Sequence, residues 1–193
     1  MKNNTNRMIK ISLLSAVSLV LMYFDFPVIP AFPWLKMDLS DVPALLGTFG
    51  FGPLVGVTIE LIKNILYFFI KGSSGIAGVL ANFLFGAALV FPAGLIYHRK
   101  KSKKTAIIGM IVGTFIMEVA GIFGNIYIML PLYGMNMTAD QLTQYVLVGI
   151  VPFNAVKALI VNVVTYFVYK RISVSVFKAE PNFGSRNKNS RTA

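Results

Sequence analysis

The sequence predicts an all-α integral membrane protein: six transmembrane helices, N- and C-termini cytoplasmic, and extracellular loop 1 acting as a lid. Three observations carry that reading. First, 56% of the 193 residues are hydrophobic and only 13% are charged, about half the charged share of a soluble domain. Second, several apolar stretches reach the ~17–25 residues that a bilayer-spanning helix needs. Third, the basic residues gather in three clusters whose spacing fixes an even number of spans between them.

The elements follow in order. Residues 8–24 form the first apolar segment. Its basic start also fits a secretory leader, but Tyr23-Phe24 precedes polar Asp25 and no small-x-small cleavage pattern is visible, so it reads as a retained span. Residues 42–70 are too long for one ordinary span. Gly50-Phe51-Gly52-Pro53 interrupts them, and Pro removes a backbone donor while Gly loosens the helix. The stretch therefore divides into a short helix (~42–50) and a full one (~53–70). Residues 76–97, 106–131 and 145–169 supply the remaining three.

Lys2, Arg7 and Lys10, the run from Arg99 to Lys104, and the tail from Lys170 to Arg191 hold fourteen of the eighteen basic residues. All three clusters belong on the cytoplasmic side. The N-terminus and the Arg99 cluster can share a side only if the 42–70 stretch counts twice. Segments 25–41, 71–75 and 132–145 then lie outside, and they carry Asp25, Asp38, Asp41 and Asp140. Residues 1–177 make one membrane domain; 178–193 form a polar cytoplasmic tail with the composition of a disordered segment.

Several function classes lack material. No cysteine is present, so thiolate metal sites, disulfides and cysteine nucleophiles are excluded, and the single histidine, His98, lies in a basic cluster. There is no G-x-x-x-x-G-K-[ST] phosphate loop, no H-E-x-x-H and no G-x-S-x-G. The sequence reads as a non-enzyme without cofactor or metal. The net charge of +11 serves topology rather than nucleic-acid binding.

What is left is a set of polar groups inside apolar helices. Glu60, Lys63 and Asn64 are spaced i, i+3, i+4 and share one helical face. Ionisable groups in hydrocarbon are costly and normally face a bundle interior or a polar cavity. With the topology above, Lys63, Asn82, Asn125, Asn154 and Lys157 fall ~9–18 Å from the outer surface. Four helices thus offer polar groups at similar depth, as in a pocket opening outward. Residues 31–41 are expected to dip in and roof it, since non-helical backbone at that depth needs shielding by protein or a cavity. Lys157 has no acid nearby in its own helix, which favours it for ligand contact. The pocket so assembled has two lysines against one acid.

Plainer roles compete. A single Asn in a transmembrane helix often bonds a neighbouring helix, and Glu60–Lys63 can be a structural ion pair. Glu118 reads as a helix–helix contact or a snorkelling group. Asn amides, lysines and apolar walls suit recognition of a planar molecule with a polar edge, because an amide sets donor and acceptor side by side.

The block Lys36-Met-Asp38-Leu-Ser-Asp41-Val-Pro43-Ala44-Leu-Leu-Gly47, with Phe51-Gly52-Pro53-Leu-Val-Gly56 and Glu60-Leu-Ile-Lys63-Asn64, closely resembles the riboflavin-specific S component of energy-coupling factor (ECF) transporters. The resemblance runs from the first helix to about Tyr169. It implies a six-helix substrate-capture subunit in the cell membrane, mediating riboflavin uptake, with flavin mononucleotide as a further candidate ligand. It also implies partners: a transmembrane scaffold and two ATPase subunits. On this resemblance Met37, Leu39 and Ala44 are apolar walls and lid. Lys63, Asn64, Asn82, Asn125, Asn154 and Lys157 are hydrogen-bonding candidates, with Glu60 beside them. The family's Ala-x-x-x-Ala docking patch corresponds to Ser12-x-x-x-Ala16, where small residues still permit close helix approach.

Rival readings stay open at this point. A sister S component for another vitamin is one; cationic thiamine would favour acids over the two lysines counted above. A proton-coupled secondary transporter would use Glu60 or Glu118 as relay, though no inverted repeat is visible. A membrane enzyme lacks an assembled nucleophile, metal set or acid–base pair.

Overall fold

The computed structural model describes residues 2–71 and 75–175; the predicted tail, 178–193, lies outside them, as do residues 72–74 of the predicted outer turn. Six helices are present among the described residues. They are α1 (Lys2–Tyr23), α2 (Asp41–Phe51), α3 (Pro53–Ile70) and α4 (Gly75–Arg99), then two compound helices. α5 runs from Lys103–Gly124 through a π-helical segment, Asn125–Met129, into a last turn, Leu130–Leu132. α6 begins with Ala139–Gln144, passes through a second π-helical segment, Tyr145–Ile150, and continues as Val151–Ser175. Between α1 and α2 lies a small hairpin, with β1 (Phe26–Pro27) antiparallel to β2 (Lys36–Met37).

The interruption at 50–53 behaves as expected. Gly52 takes φ 116°, a region that favours glycine, and Pro53 opens α3 at a first-turn position, where its missing N–H costs nothing. Five helices are long and apolar enough to cross a membrane. α2 is not: 11 residues rise only ~16 Å. The bundle is thus five crossing-length helices and one half-depth helix, in line with the short second helix read from the sequence.

The expected parity is visible in the contacts. Arg7, near the start of α1, donates to Phe51 O at the end of α2 (3.1 Å). His98, at the end of α4, meets Thr48 O at 3.0 Å, and Tyr97 pairs with Tyr169 of α6 through their hydroxyls. The start of α1 and the ends of α2, α4 and α6 therefore share one face of the bundle. At the other face the end of α1 meets the end of α3, where Lys71 reaches Tyr23 O (2.9 Å).

Hydropathy marked the apolar stretches, but caps set the helix limits. Ser102 opens α5 with a reciprocal capping box, accepting from Thr105 N at 3.2 Å while its own N–H bonds Thr105 Oγ1 at 3.1 Å. Thr138 and Gln141 do the same for α6. Residues 139–144, expected in an outer loop, are for that reason helical.

α2 is buried from Asp41 to Phe49 and forms the axis of the main core, its Leu45 and Phe49 joined by Ile59, Leu89, Val90, Ala93 and Val161 of the surrounding helices. α4 and α5 pack closely because α5 presents Gly109 and Gly113. A Cβ on Gly109 would lie 2.7 Å from Ala93 O, so only a residue without one permits this approach. A second core sits under the hairpin: Leu35, Met37, Leu130, Tyr145, Ile150 and Phe153. Outward positions such as Phe69, Phe115, Leu147 and Phe167 are exposed, as befits a surface whose solvent is lipid.

Candidate binding site

Two layers of polar side chains lie between the hairpin and the bundle. The lower layer is a buried ion network. Asp38 begins it: its Oδ1 accepts from Ser40 N (2.8 Å) and from the Ser40 hydroxyl. This local turn is the kind a short Asp side chain stabilises, and it aims the chain into α2. Asp41 then falls in the first turn of α2, where the positive end of the helix dipole suits a carboxylate.

Lys63 of α3 reaches Asp41 Oδ1 at 2.6 Å, Ser40 Oγ at 2.6 Å and Glu60 Oε2 at 2.8 Å. Lys157 of α6 reaches Asp38 Oδ2 at 3.2 Å and Asp41 Oδ2 at 3.3 Å. Asn82 of α4 donates to Asp38 Oδ2 (3.3 Å), and its Oδ1 accepts from Asn64 (3.3 Å). Asn64 also donates to Glu60 O at 2.8 Å. One connected network thus joins the loop before α2 to α2, α3, α4 and α6.

Here the sequence reading needs correction. Lys157 has no acid nearby on its own helix, but the fold brings Asp38 and Asp41 to it. Asp38 and Asp41, assigned to an outer segment, are buried at 4% and 1% exposure. The site holds three acids against two lysines, not one. The charge argument against a cationic ligand therefore lapses. Glu60 is fully buried, yet neither of its oxygens forms a well-directed hydrogen bond despite the short ion-pair distance to Lys63. It fits because Gly86 faces it: a Cβ there would stand 2.7 Å from Glu60 Cδ.

The upper layer is a cleft of about 70 Å³ lined by residues of α1, the hairpin, α4, α5 and α6, among them Asp38, Asn82, Phe85, Asn125 and Asn154. Asn154 Nδ2 is buried without a partner. Asn125 donates to Gly121 O (2.8 Å) and accepts from Tyr145 Oη (2.9 Å). Of the residues singled out from the sequence, Asn82, Asn125 and Asn154 line this cleft, and Lys63, Asn64, Glu60 and Lys157 form the network below. Met37 packs in the core under the hairpin, Ala44 lies inside the main core, and Leu39 borders a groove between α1, α2 and α6. Ser12 and Ala16 are exposed on α1. Glu118 keeps one buried oxygen without a partner.

At the rim, Asp25 gathers three partners. Tyr67 donates at 2.7 Å, Lys71 donates to the other oxygen, and Lys36 of β2 stands 3.4 Å away. Burial pushes the Asp25 carboxyl upward, but the bonds from Lys71 and Tyr67 and the two lysine charges outweigh it and hold the pKa below its ordinary value. Burial likewise opposes the Lys71 charge, and the Asp25 bond overcomes it, raising that pKa. Among the described residues, no group of three or more acids or histidines is arranged to hold a metal.

Sequence reasoning missed Asp38, Asp41, Ser40, Tyr145 and Trp34. For the two aspartates a signal existed: two lysines buried in apolar helices require compensating charge, and Glu60 supplies only one.

Residues 6–169 match the family model described as the ECF transporter, substrate-specific component. The chain belongs to this family of S components. It is a multi-pass membrane transport component and not an enzyme. Among curated relatives, the Staphylococcus aureus (strain TCH60) riboflavin transporter RibU is 41% identical over 172 residues, covering 86% of this chain and 90% of the relative. The Bacillus subtilis (strain 168) riboflavin transporter FmnP is 32% identical over 174 residues, covering 86% and 91%. A solved S component of a bacterial ECF transporter superposes with a TM-score of 0.76 at 38% identity, covering 90% of this S component and 97% of that chain.

Proposed function

We propose that this S component captures riboflavin from the outer side of a bacterial plasma membrane and hands it inward through an ATP-driven complex. In that complex a transmembrane scaffold and two ATPase subunits supply the energy. The observation that carries the reading is the cleft in which Asn82, Asn125 and Asn154 converge, from three helices, beneath an aromatic hairpin. Amides offer paired donors and acceptors, complementary to the imide edge of a flavin ring. Relatives named as riboflavin transporters, at 41% and 32% identity, support the same ligand.

The cleft's volume, about 70 Å³, is far below the ~300–1,000 Å³ of typical ligand pockets. Riboflavin entry therefore requires the hairpin to lift away from α5 and α6, so loop 1 works as a lid. Residues 1–177 act as one membrane domain, and the positive-inside rule places both termini and the Arg99 cluster in the cytoplasm. On α1, Ser12 and Ala16 lie exposed with Leu13, Val17 and Val20. This small-residue face is the one offered to the scaffold.

The test is direct. Purified from riboflavin-containing medium, the protein should be yellow with a flavin absorbance spectrum near one ligand per chain. A colourless preparation that also fails to bind added riboflavin would overturn the reading.

A further inference from the structure

The tip of the hairpin is wired to the cleft through one side chain. Trp34 Nε1 donates to Tyr145 Oη at 3.0 Å, Tyr145 Oη donates to Asn125 Oδ1 at 2.9 Å, and Asn125 Nδ2 donates to Gly121 O at 2.8 Å. Tyr145 is 1% exposed, and its ring packs against Phe32 and Trp34, with centroids at 5.0 and 5.9 Å.

The two ends of this chain dictate its direction. An indole N–H can only donate and a backbone carbonyl can only accept. Tyr145 must therefore accept from Trp34 and spend its single proton on the next group. That group is the Asn125 oxygen, which leaves the Asn125 NH2 toward Gly121 O. One of its two hydrogens is used there. The other is the only hydrogen-bonding capacity of the NH2 still uncommitted at a residue that lines the cleft. The oxygen keeps a second lone pair, but the Tyr145 proton fixes which end of the amide is oxygen and which is the donating nitrogen.

Backbone geometry marks the same pair. Asn125 is the first residue of the π-helical segment in α5, and Tyr145 is the first residue of the one in α6. Such segments are rare and concentrate at functional sites, because the wider turn re-aims side chains. Here the two meet through one hydrogen bond.

We propose that Tyr145 is a positioning residue: it locks the Asn125 amide so that the cleft offers an N–H donor, and it couples that lock to the hairpin through Trp34. The inference rests on the ligand reading above and specifies it further, since Asn125 then reads an acceptor atom on the ligand, a ring carbonyl or ring nitrogen. It also makes hairpin closure and ligand recognition one event, because lifting Trp34 releases the Tyr145 hydroxyl to rotate.

Tyr145→Phe keeps the ring and removes only the hydroxyl. Riboflavin affinity of the full chain in detergent should fall about tenfold, the size of one hydrogen bond, chiefly through faster dissociation. Asn125→Ala should weaken binding too, and the double variant should bind no more weakly than Asn125→Ala alone. Trp34 is the only tryptophan, so its emission should shift in ligand-free Tyr145→Phe. Trp34→Phe, read by flavin fluorescence, serves as second variant should Tyr145→Phe not fold; it should also speed dissociation. Wild type that binds no riboflavin would overturn the ligand reading itself. Wild type that binds, with Tyr145→Phe neutral, or with equal losses from it in the wild-type and Asn125→Ala backgrounds, would overturn the relay alone.

Discussion

The S component carries the same ionic chemistry at two depths. In the inner network Lys63 and Lys157 are shared among Asp38, Asp41 and Glu60, with side chains 0–10% exposed. At the rim Asp25 holds Lys36 and Lys71, whose side chains are 26% and 25% exposed. Both sets tie the α1–α2 connection to helices: the inner one fixes its end to α3, α4 and α6, the outer one fixes its beginning to α3. They differ in what replaces a lost partner. Water can reach the rim, so a broken pair there is rehydrated and screened. The inner side chains are almost wholly buried, so a lost partner leaves a poorly solvated charge. The hairpin between these anchors thus has a rigid inner root and a yielding outer one.

The strongest way to break the comparison is Lys63→Met. It removes the shared cation between Asp41 and Glu60, and leaving such charges unpaired costs about 3–5 kcal/mol. Unfolding in mixed micelles should show that loss, and it should not shrink in 1 M salt. A loss below about 1 kcal/mol, or one that salt erases, would mean the inner network behaves like the rim.

Gly86→Ala tests the packing that lets Glu60 lie so deep. The new methyl group meets the Glu60 carboxyl, whose Cδ would be 2.7 Å away. Overpacking of this kind costs about 1–3 kcal/mol. Since Glu60 Oε2 lies 2.8 Å from Lys63, the loss should be partly absent in a Glu60→Ala background. An additive pair of losses, measured by the same unfolding assay, would separate Gly86 from the network.

How much of this was legible beforehand depends on what carried each signal. The break at Gly52-Pro53 was readable because φ 116° and a first-turn Pro are local demands of two residues. The shared face of Glu60, Lys63 and Asn64 was readable because helical periodicity is local too. Asp38 and Asp41 were read within the segment that dips in to roof the pocket but not counted among its acids, because hydropathy cannot distinguish a polar loop that faces water from one whose charges fold into a bundle. Tyr145 and Trp34 were missed for a related reason: Trp34 lies 111 positions from Tyr145, and aromatic residues near helix ends usually signify a membrane interface. The two π-helical segments have no sequence signature that periodicity can detect.

The smallest effect belongs to the rim. Asp25→Asn should cost about 0.5–1 kcal/mol at low salt, as partly exposed ion pairs do, because Tyr67 can still donate to the amide oxygen. In 1 M salt, where screening acts within about 3 Å, the deficit should shrink toward zero, unlike that of Lys63→Met. The pH dependence has a definite sign. The folded carboxyl titrates below the ordinary value of 3.8, so its contribution is complete above that value and is lost as pH falls through the lower folded one. Between pH 7 and 5 the gap between wild type and Asp25→Asn should therefore stay constant, and below about 3.8 it should narrow. Thermal melting in detergent across that range gives both readings. A gap that changes near neutral pH would show that Asp25 is not held by its two lysines and Tyr67, and that the outer root of the hairpin is fixed by something else.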